Sequence, residues 1–191
     1  MILLSKMINT DKKIIECVPN FSEGQNSDII DKIASSVQST RNVKLLNVEP
    51  DRDYNRTVIT FAGEPSGVKD AAFKAISTAE ELIDMSRQKG EHPRIGATDV
   101  CPIIPVANVT KDECIKLSDE LGKDVGNKLG IPVYLYEDTA RSAERRNLEN
   151  IRKGEYEGLE QKLKSWIPDY GPTEYNDKVR RAGATVIGSR F

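Results

Sequence analysis

The chain has 191 residues, which is enough for one domain or for one domain with an appended lobe. Hydrophobic residues make up 38% and charged residues 30%, a composition typical of a soluble globular protein. The 28 basic and 30 acidic residues leave a formal charge of −2, so the basic surface expected of a nucleic-acid-binding protein is absent. No apolar run approaches the roughly 20 residues that span a bilayer, so we expect no membrane partner.

Cysteine usage indicates a cytoplasmic protein without a metal. Cys17, Cys101 and Cys114 are odd in number and show no CxxC spacing, and with a single histidine they cannot build a conventional zinc site. We expect them to be reduced, buried thiols. The apolar N-terminus is too short for a signal peptide and is soon followed by lysines, so residues 1–12 are predicted to be a disordered extension, with Met7 as an alternative start.

The first half of the chain alternates strand and helix patterns. Periodicity predicts a strand at 14–18, a loop at 20–24, a helix from 26 or 27, strands at 43–48 and 57–61, a helix from Ser66 to Lys89 and a strand at 100–106. Pro102 and Pro105 indicate that this last strand is an edge strand or an irregular one. The order β-α-β-β-α-β is that of ferredoxin-like sandwiches.

The second half is predicted to extend this sandwich with further helices and one or two strands. Thr110 and Glu113 form a capping box that begins a helix, which runs to about residue 129. A strand at 132–136, a mainly helical segment at 140–164 and a last strand at 184–187 follow. The basic side chains of the helical segment are expected to form a solvated face: Arg145, Arg146, Arg152 and Lys153. We therefore expect an α/β (α+β) fold with a mixed sheet and helices packed on one face.

The only histidine, His92, is the first candidate for chemistry. Its imidazole is the side chain that gives and takes protons near neutral pH. Pro93 directs His92 toward extended backbone, and the nearby glycines permit close approach to a ligand. An incidental loop histidine is the alternative that this segment alone leaves open.

Three further polar groups are candidates for binding, each with a structural alternative. Asn20, Ser22 and Glu23 precede a helix N-terminus, an arrangement that favours a bound carboxylate but is equally typical of a capped turn. Asn55 and Arg56 belong to a polar cluster that would otherwise be a solvated turn. Arg94 is suited to a bidentate carboxylate contact, with an ion pair to Glu91 or Asp99 as the alternative.

The C-terminal loop is the last candidate. Gly171 and Gly183 bracket a polar loop that either lies over a flat ligand or simply connects two elements. Walker, GxGxxG and GxSxG motifs are all absent, so phosphate cradles, dinucleotide sites and serine-elbow hydrolysis lack support.

Several of these segments together resemble the formiminotransferase family. The similar strings lie at residues 16–24, 55–58, 90–97, 99–102, 133–136 and 154–157, and in the Trp-x-Pro-Asp-x-Gly-Pro segment at 166–172. The central one contains Glu91-His92-Pro93-Arg94. The resemblance runs from about residue 13 to residue 191, so 13–191 is identified as the family's N-terminal subdomain.

The resemblance implies a function and a set of site residues. Members move a formimino group between tetrahydrofolate and L-glutamate in histidine degradation. They hold the folate in a cleft between two ferredoxin-like subdomains, and they form homodimers. His92 matches the family's catalytic histidine, and the family's motifs place Gly96 and Asp99 in the site. The folate-contacting stretch matches the loop opening at Gly171, Pro172 and Thr173 and closing at Gly183, although this loop is more charged here than in the mammalian pattern.

The chemistry suits a single histidine. Glutamate's ammonium must lose a proton before it attacks the formimino carbon, and the folate nitrogen leaves better once it is protonated. A histidine with a pKa near the operating pH serves both steps, for a gain of about 10²–10⁴-fold. Glu91 or Asp99 is a candidate to orient the ring, and Arg94 or Arg56 to bind substrate carboxylates. The amidinium-like carbon is already electrophilic, so the reaction needs no metal.

The length of the chain leaves several explanations for how the site is completed. If the site lies between two subdomains, the chain is a truncated enzyme, a half-enzyme completed by a separate chain, or a one-lobe relative that binds folate without turnover. A scaffolding role is a fourth explanation. We expect a catalytic lobe that uses a second subdomain in cis or in trans. The alternative is a non-catalytic folate-binding or protein-interaction lobe.

Overall fold

The computed structural model describes residues 11–191, which form a mixed sheet and six α-helices. The strands are β1 (Ile14–Cys17), β2 (Asn20–Phe21), β3 (Val43–Asp51), β4 (Arg56–Gly63), β5 (Thr98–Ala107), β6 (Val133–Glu137) and β7 (Thr185–Ser189). The helices are α1 (Ser27–Gln38), α2 (Pro65–Leu82), α3 (Lys111–Leu129), α4 (Leu148–Arg152), α5 (Leu159–Ser165) and α6 (Asp177–Ala182).

The sheet confirms the predicted ferredoxin-like order and adds two strands to it. β1 and β2 share one lane between β4 and β5, β3 pairs with the outer edge of β4, and all of these neighbours are antiparallel. Beyond β5 the sheet continues with β7 and β6 as parallel strands. The mixed sheet therefore has an antiparallel half, β3-β4-β1/β2, and a parallel half, β5-β7-β6.

Of the two alternatives for the proline-containing strand, an edge strand is wrong and an irregular one is confirmed. β5 lies in the middle of the sheet, between the β1/β2 lane and β7. Its neighbour is interrupted between β1 and β2, and the register with β1 shifts between Ile14 and Ile15. Prolines are tolerated at such irregular positions because fewer ladder hydrogen bonds are required there.

Helices cover both faces of the parallel half, so the expectation of helices on one face is also wrong. One core lies under α1, α2 and α3 and includes Cys101 and Ile187 of the sheet. The second core lies on the opposite face, where Val100 and Val186 pack with Ile151 of α4 and with α5. Alternating strand residues point to opposite faces, which explains why one strand contributes to two cores.

The antiparallel half keeps one face open. Ile59 and Phe61 of β4 are buried under the helices, whereas the alternating residues Val58, Thr60 and Ala62 stay partly exposed. Leu46 and Val106 on neighbouring strands are 50% and 59% exposed. This open sheet face ends at Asn20 and Arg56, which brings it to the candidate site.

Helix ends follow local capping. The predicted Thr110–Glu113 capping box is present in α3, and Asn26 caps α1. Helix α2 begins one residue before the predicted cap, because Pro65 occupies its first turn, and it ends at Leu82 rather than at Lys89. Met85, 1% exposed, is buried and its amide donates to the Arg181 carbonyl, so the chain leaves the helix to fill the core.

Two further predictions concern the segment 140–164 and the N-terminus. The segment 140–164 is mainly helical, as predicted, and consists of a 3₁₀ turn at Ala143–Arg146 and the short helices α4 and α5. The predicted disordered extension lies outside the described residues except for Asp11 and Lys12. The carbonyl of Lys12 accepts a hydrogen bond from Asn108 at 2.9 Å, and its ammonium lies 3.6 Å from the Glu64 carboxylate.

Candidate active site

His92 lies in the loop between α2 and β5, at the boundary between the open sheet face and the half that α4 and α5 cover. The loop carries His92 to the start of β4, where Nη1 of Arg56 lies 3.0 Å from its Nε2. Arginine has no acceptor, so Nε2 must accept this hydrogen bond and the ring proton belongs on Nδ1. The ring is partly exposed. The site therefore presents a neutral imidazole whose Nε2 lone pair is engaged.

The surroundings of His92 favour its neutral form. Burial is the largest cause, and the positive charges of Arg56 and Arg152 add to it. Together they lower the pKa of His92 to about 4, although Asp51 opposes the shift. A base with so low a pKa is weaker than the near-neutral histidine that the sequence predicts for proton transfer.

Arg56 has no acidic partner within hydrogen-bonding or ion-pairing distance in the described part of the chain. Its Nη1 also donates to Oδ1 of Asn20 at 3.4 Å, while its Nε is buried without a hydrogen-bond acceptor. Asp51 pairs with Arg56 across the β3–β4 ladder, but its carboxylate accepts the amides of Asp53 and Tyr54. Of the two arginines proposed for substrate carboxylates, Arg56 is the one with donors to spare.

Arg94 has the structural role that the sequence left open, but with other partners. Its Nη1 and Nη2 donate to both carboxylate oxygens of Glu157 at 2.9 and 2.8 Å, and Nη1 also reaches Glu155 at 3.1 Å. Its Nε donates to Gln88 at 2.9 Å. These interactions raise the pKa of Arg94, and the hydrogen bonds from the guanidinium lower the pKa of Glu157. The expected partners Glu91 and Asp99 are wrong, and no carboxylate-binding capacity remains.

Asp99 does not orient the imidazole. Its carboxylate is buried, accepts the Ile95 amide at 3.1 Å and pairs with the guanidinium of Arg152. The charge pattern predicted that Arg152 lies on a solvated face, and this prediction is wrong. No spacing in the sequence signals this pair, since 53 positions separate its members.

Asn55 joins three loops around the site. Its Oδ1 accepts the amide of Gly24 at 2.8 Å, and its Nδ2 donates to the carbonyl of Lys89 at 2.7 Å. The residue is buried and has a φ of 49°, in the left-handed region that asparagine tolerates better than most residues. Both ends of the Asn55 amide are therefore occupied by hydrogen bonds that connect the loops around the site.

The loop that begins at β2 is organised as a turn. Ser22 is buried, and its hydroxyl donates to the Gly96 carbonyl at 2.7 Å. The Glu23 carboxylate accepts the amides of Gln25 and Asn26. These contacts favour the capped-turn alternative for Ser22 and Glu23, whereas Asn20 faces Arg56.

Two glycines among the predicted site residues allow two backbone segments to lie in close contact. Gly96 and Gly183 form an isolated bridge, and a Cβ on Gly96 would lie 2.0 Å from the Ala184 carbonyl. Gly171 packs against Gly126 and Ile131, beside α3 and the start of β6. No hydrogen bond or ion pair among the described residues joins Gly171, Pro172 or Thr173 to His92.

A large cleft adjoins this site. It has a volume of about 670 Å³, in the range of small-molecule sites, and shares Asn55 and Gln88 with the enclosed surroundings of His92. Its walls come from the N-terminus of α1 and from the loop that follows α2.

Comparison with known sequences shows what these residues belong to. A sequence model described as the formiminotransferase domain, N-terminal subdomain, matches residues 14–190. The chain belongs to the formiminotransferase family. This formiminotransferase subdomain is 44% identical over 181 residues to a glutamate formimidoyltransferase of Streptococcus pyogenes, and 49% identical over 180 residues to a formimidoyltransferase-cyclodeaminase of Sus scrofa.

The family relatives are longer than the chain. The alignments cover 94% and 93% of the chain, but only 60% of the streptococcal protein and 33% of the porcine one. A formimidoyltransferase-cyclodeaminase of Dictyostelium discoideum, 47% identical, gives the same coverage as the porcine protein. The chain therefore spans between a third and three fifths of these relatives.

Two general features complete the description of the formiminotransferase subdomain. None of the helices in residues 11–191 is long and apolar enough to cross a membrane. In the same range, no three His, Cys, Asp or Glu side chains are grouped in a way that would hold a metal ion.

Proposed function

We propose that the chain is the N-terminal catalytic lobe of a glutamate formimidoyltransferase. The lobe transfers a formimino group between tetrahydrofolate and L-glutamate, with His92 as general acid and base. The observation that carries the proposal is the position of the single histidine, partly exposed beside a cleft and next to Arg56, a partly buried arginine without a carboxylate partner. The folate is a substrate, and no step assigned to the lobe's residues uses a metal.

One proton carrier accounts for both halves of the reaction. His92 takes a proton from the glutamate ammonium, and the freed amine forms a bond to the formimino carbon. The tetrahedral intermediate then breaks its bond to the folate nitrogen, to which His92 returns the proton. Arg56 holds a substrate carboxylate during these steps, since it is the arginine near His92 that lacks an ion pair. Such acid–base catalysis contributes about 10²–10⁴-fold.

The open sheet face supports a second lobe as the missing partner. Val58, Thr60 and Leu46 leave apolar surface on that face, which ends at Arg56 beside His92. We propose that a second formiminotransferase subdomain, in cis or in trans, packs on it and closes the cleft. A lobe docked there would exclude water from the imidazole, and exclusion of water strengthens electrostatic contacts in a site. The homodimer implied by the resemblance stays a prediction.

One observation favours the alternative of a lobe that binds folate without turnover. The pKa of His92 lies at about 4, and its Nε2 is already bonded to Arg56. An isolated lobe in this state has a poor base at neutral pH. Both candidates agree on the folate ligand and differ in whether anything restores the basicity of His92.

The setting of the proposal is a cytoplasmic enzyme of histidine degradation and one-carbon metabolism. The three cysteines are free and buried, and Sγ of Cys17 and Sγ of Cys101 lie 3.5 Å apart without a disulfide. Reduced thiols are the usual state in the cytoplasm. This observation supports the compartment, and the pathway is inferred from the proposed substrates.

A complementation assay tests the function. Tetrahydrofolate-dependent formimino transfer to glutamate is measured with the chain alone, with a second-subdomain polypeptide added, and with His92→Ala in each mixture. Arg146→Gln, on an exposed side chain away from the site, is the matched control. Activity on complementation that is lost in His92→Ala and kept in Arg146→Gln supports the proposal. Folate binding without turnover favours the alternative, and the absence of folate affinity overturns both.

A further inference from the structure

We propose that Arg56 is a mask on His92 that substrate removes: a substrate carboxylate takes up the guanidinium and frees Nε2 of His92 for proton transfer. The proposal rests on the proposed function and assigns Arg56 a regulatory part in the same site. It also commits to the chemistry of the ligand group, an aliphatic carboxylate that can accept two hydrogen bonds.

The mask follows from hydrogen-bond roles. At 3.0 Å, Nη1 of Arg56 donates into the lone pair of His92 Nε2, because arginine has only donors. That lone pair is the one a base uses to accept a proton, since Nδ1 carries the ring hydrogen in this tautomer. While the contact lasts, His92 cannot accept a proton at Nε2.

Arg56 also has a donor without an acceptor. Its Nε is buried without a hydrogen-bond partner, and the hydrogen bond from its Nη1 to Asn20 is long, at 3.4 Å. Arginine prefers bidentate carboxylate contacts, and a carboxylate bound side-on would use Nε together with one terminal nitrogen. A buried donor without an acceptor is unfavourable, so Arg56 gains from the arrival of a carboxylate acceptor.

The lack of an acidic partner distinguishes Arg56 from Arg94. Arg94 lies two residues from His92, yet its guanidinium already forms ion pairs with Glu155 and Glu157 and donates from Nε to Gln88. A carboxylate that enters the site therefore has one arginine with free donors next to the imidazole.

Charge couples the two events. The charged groups that face His92 are Arg56 from β4, Asp51 from β3 and Arg152 from α4, whose own charge is balanced by Asp99. A bound carboxylate neutralises Arg56 and adds a negative charge near the ring, so the pKa of His92 rises from about 4 toward its ordinary value. Binding thus frees the base and strengthens it in one step.

The single histidine makes the proposal measurable without activity. In the full chain labelled with ¹³C,¹⁵N-histidine, NMR gives one imidazole to titrate. We expect the wild-type midpoint near pH 4 and a midpoint higher by about one pH unit in Arg56→Gln, because burial still depresses the pKa there. Arg146→Gln, the exposed control, keeps the wild-type midpoint.

Two probes distinguish the sources of the carboxylate. L-Glutamate represents the acceptor substrate, and p-aminobenzoyl-L-glutamate represents the tail of a folate. We expect at least one of them to raise the wild-type midpoint by about one pH unit and to have no effect in Arg56→Gln. The probe that acts identifies the substrate that removes the mask.

Three results overturn the inference. They are an unchanged midpoint in a folded Arg56→Gln variant, no response of the wild-type protein to either probe, and an equal response in Arg56→Gln. The wild-type response does not depend on how the variant folds. If the probes act as expected while complementation yields no transfer, the mask stands and the proposed reaction fails.

Discussion

Arg94 and Arg56 both reach the loop that carries His92, and they meet opposite surroundings. Arg94 is 7% exposed and donates to two carboxylates and one amide oxygen, so its charge is balanced within the chain. Arg56 donates to an imidazole nitrogen and an amide oxygen, and keeps a buried Nε–H without an acceptor. The buried charge of Arg94 therefore has its partners, whereas the partly buried Arg56 lacks an anion.

The two arginines therefore differ in role, one structural and one available to a ligand, although both contact the loop that carries His92. Arg94 connects the His92 loop to residues 155–157, and the Glu155–Glu157 segment returns a backbone hydrogen bond from Tyr156 to the Arg94 carbonyl at 2.8 Å. Arg56 connects the same loop to the open sheet face. The first connection fixes the histidine, and the second leaves room for a ligand.

Removing the imidazole is the strongest test of where the chemistry lies. In the complemented enzyme, His92→Ala is expected to lower kcat/KM by about 10²–10⁴-fold, since the only proton carrier beside Arg56 is lost. Folding should be unaffected because the ring is partly exposed, and circular dichroism checks this. Arg146→Gln should keep wild-type kinetics, and an active His92→Ala enzyme would contradict the mechanism.

The two arginines should differ in what they contribute to stability. Arg94→Leu is expected to lower the free energy of unfolding by about 2–3 kcal/mol, because several charge-assisted hydrogen bonds are lost. Arg94→Lys should not rescue it, since an ammonium cannot reproduce the bidentate contact. Arg56→Leu is expected to leave stability unchanged or higher, because a buried Nε–H without an acceptor disappears and no ion pair is lost. Urea unfolding measures the free energy of unfolding of the three variants. A larger loss in Arg56→Leu than in the two Arg94 variants would contradict the contrast.

The sequence predicted the order of the first six elements and the position of His92, because periodicity and local motifs carry that information. It did not predict the central place of β5, since the prolines at 102 and 105 are tolerated only where the neighbouring strand is interrupted. Helices on the second face were also missed, because the alternation of Val100 and Cys101 cannot show which face a later helix covers.

Within the site, the sequence identified residue types but not their partners. The sequence favours Arg94 over Arg56 as the carboxylate ligand, because Arg94 is nearer to His92 along the chain, but the fold brings Glu157 to Arg94. Arg152 was assigned to a solvated face because its partner, Asp99, is 53 residues away. Pairings at that distance depend on packing of whole elements, which local patterns do not encode.

Asn55 allows a smaller test of how the site is held. Asn55→Ala is expected to lower the free energy of unfolding by about 1–2 kcal/mol, because the hydrogen bonds to Gly24 and Lys89 are lost. Asn55→Gly loses the same bonds but adopts the φ of 49° freely, so it should be slightly less destabilised. Thermal unfolding compares the two variants, and a wild-type Tm in both would show that this residue does not connect the loops.

The pH dependence of stability is the smallest expected effect. The unfolded chain binds a proton to His92 below about pH 6.5, whereas the folded chain does so only near pH 4. Between these values the unfolded state binds more protons, so stability falls as the pH is lowered through this range. Solvent screening at the partly exposed ring reduces the size of the effect. His92→Asn should flatten this part of the curve in urea unfolding, and an unchanged slope would contradict the low pKa.

The pH dependence of transfer in the complemented enzyme tests the central claim most directly. The acidic limb of kcat/KM reports the free enzyme, and that of kcat reports the enzyme with substrate bound. If substrate lifts Arg56 from His92, the limb in kcat lies at a higher pH than the limb in kcat/KM, and the two limbs coincide in Arg56→Gln. Coincident limbs in the wild-type enzyme would show that Arg56 does not mask the histidine.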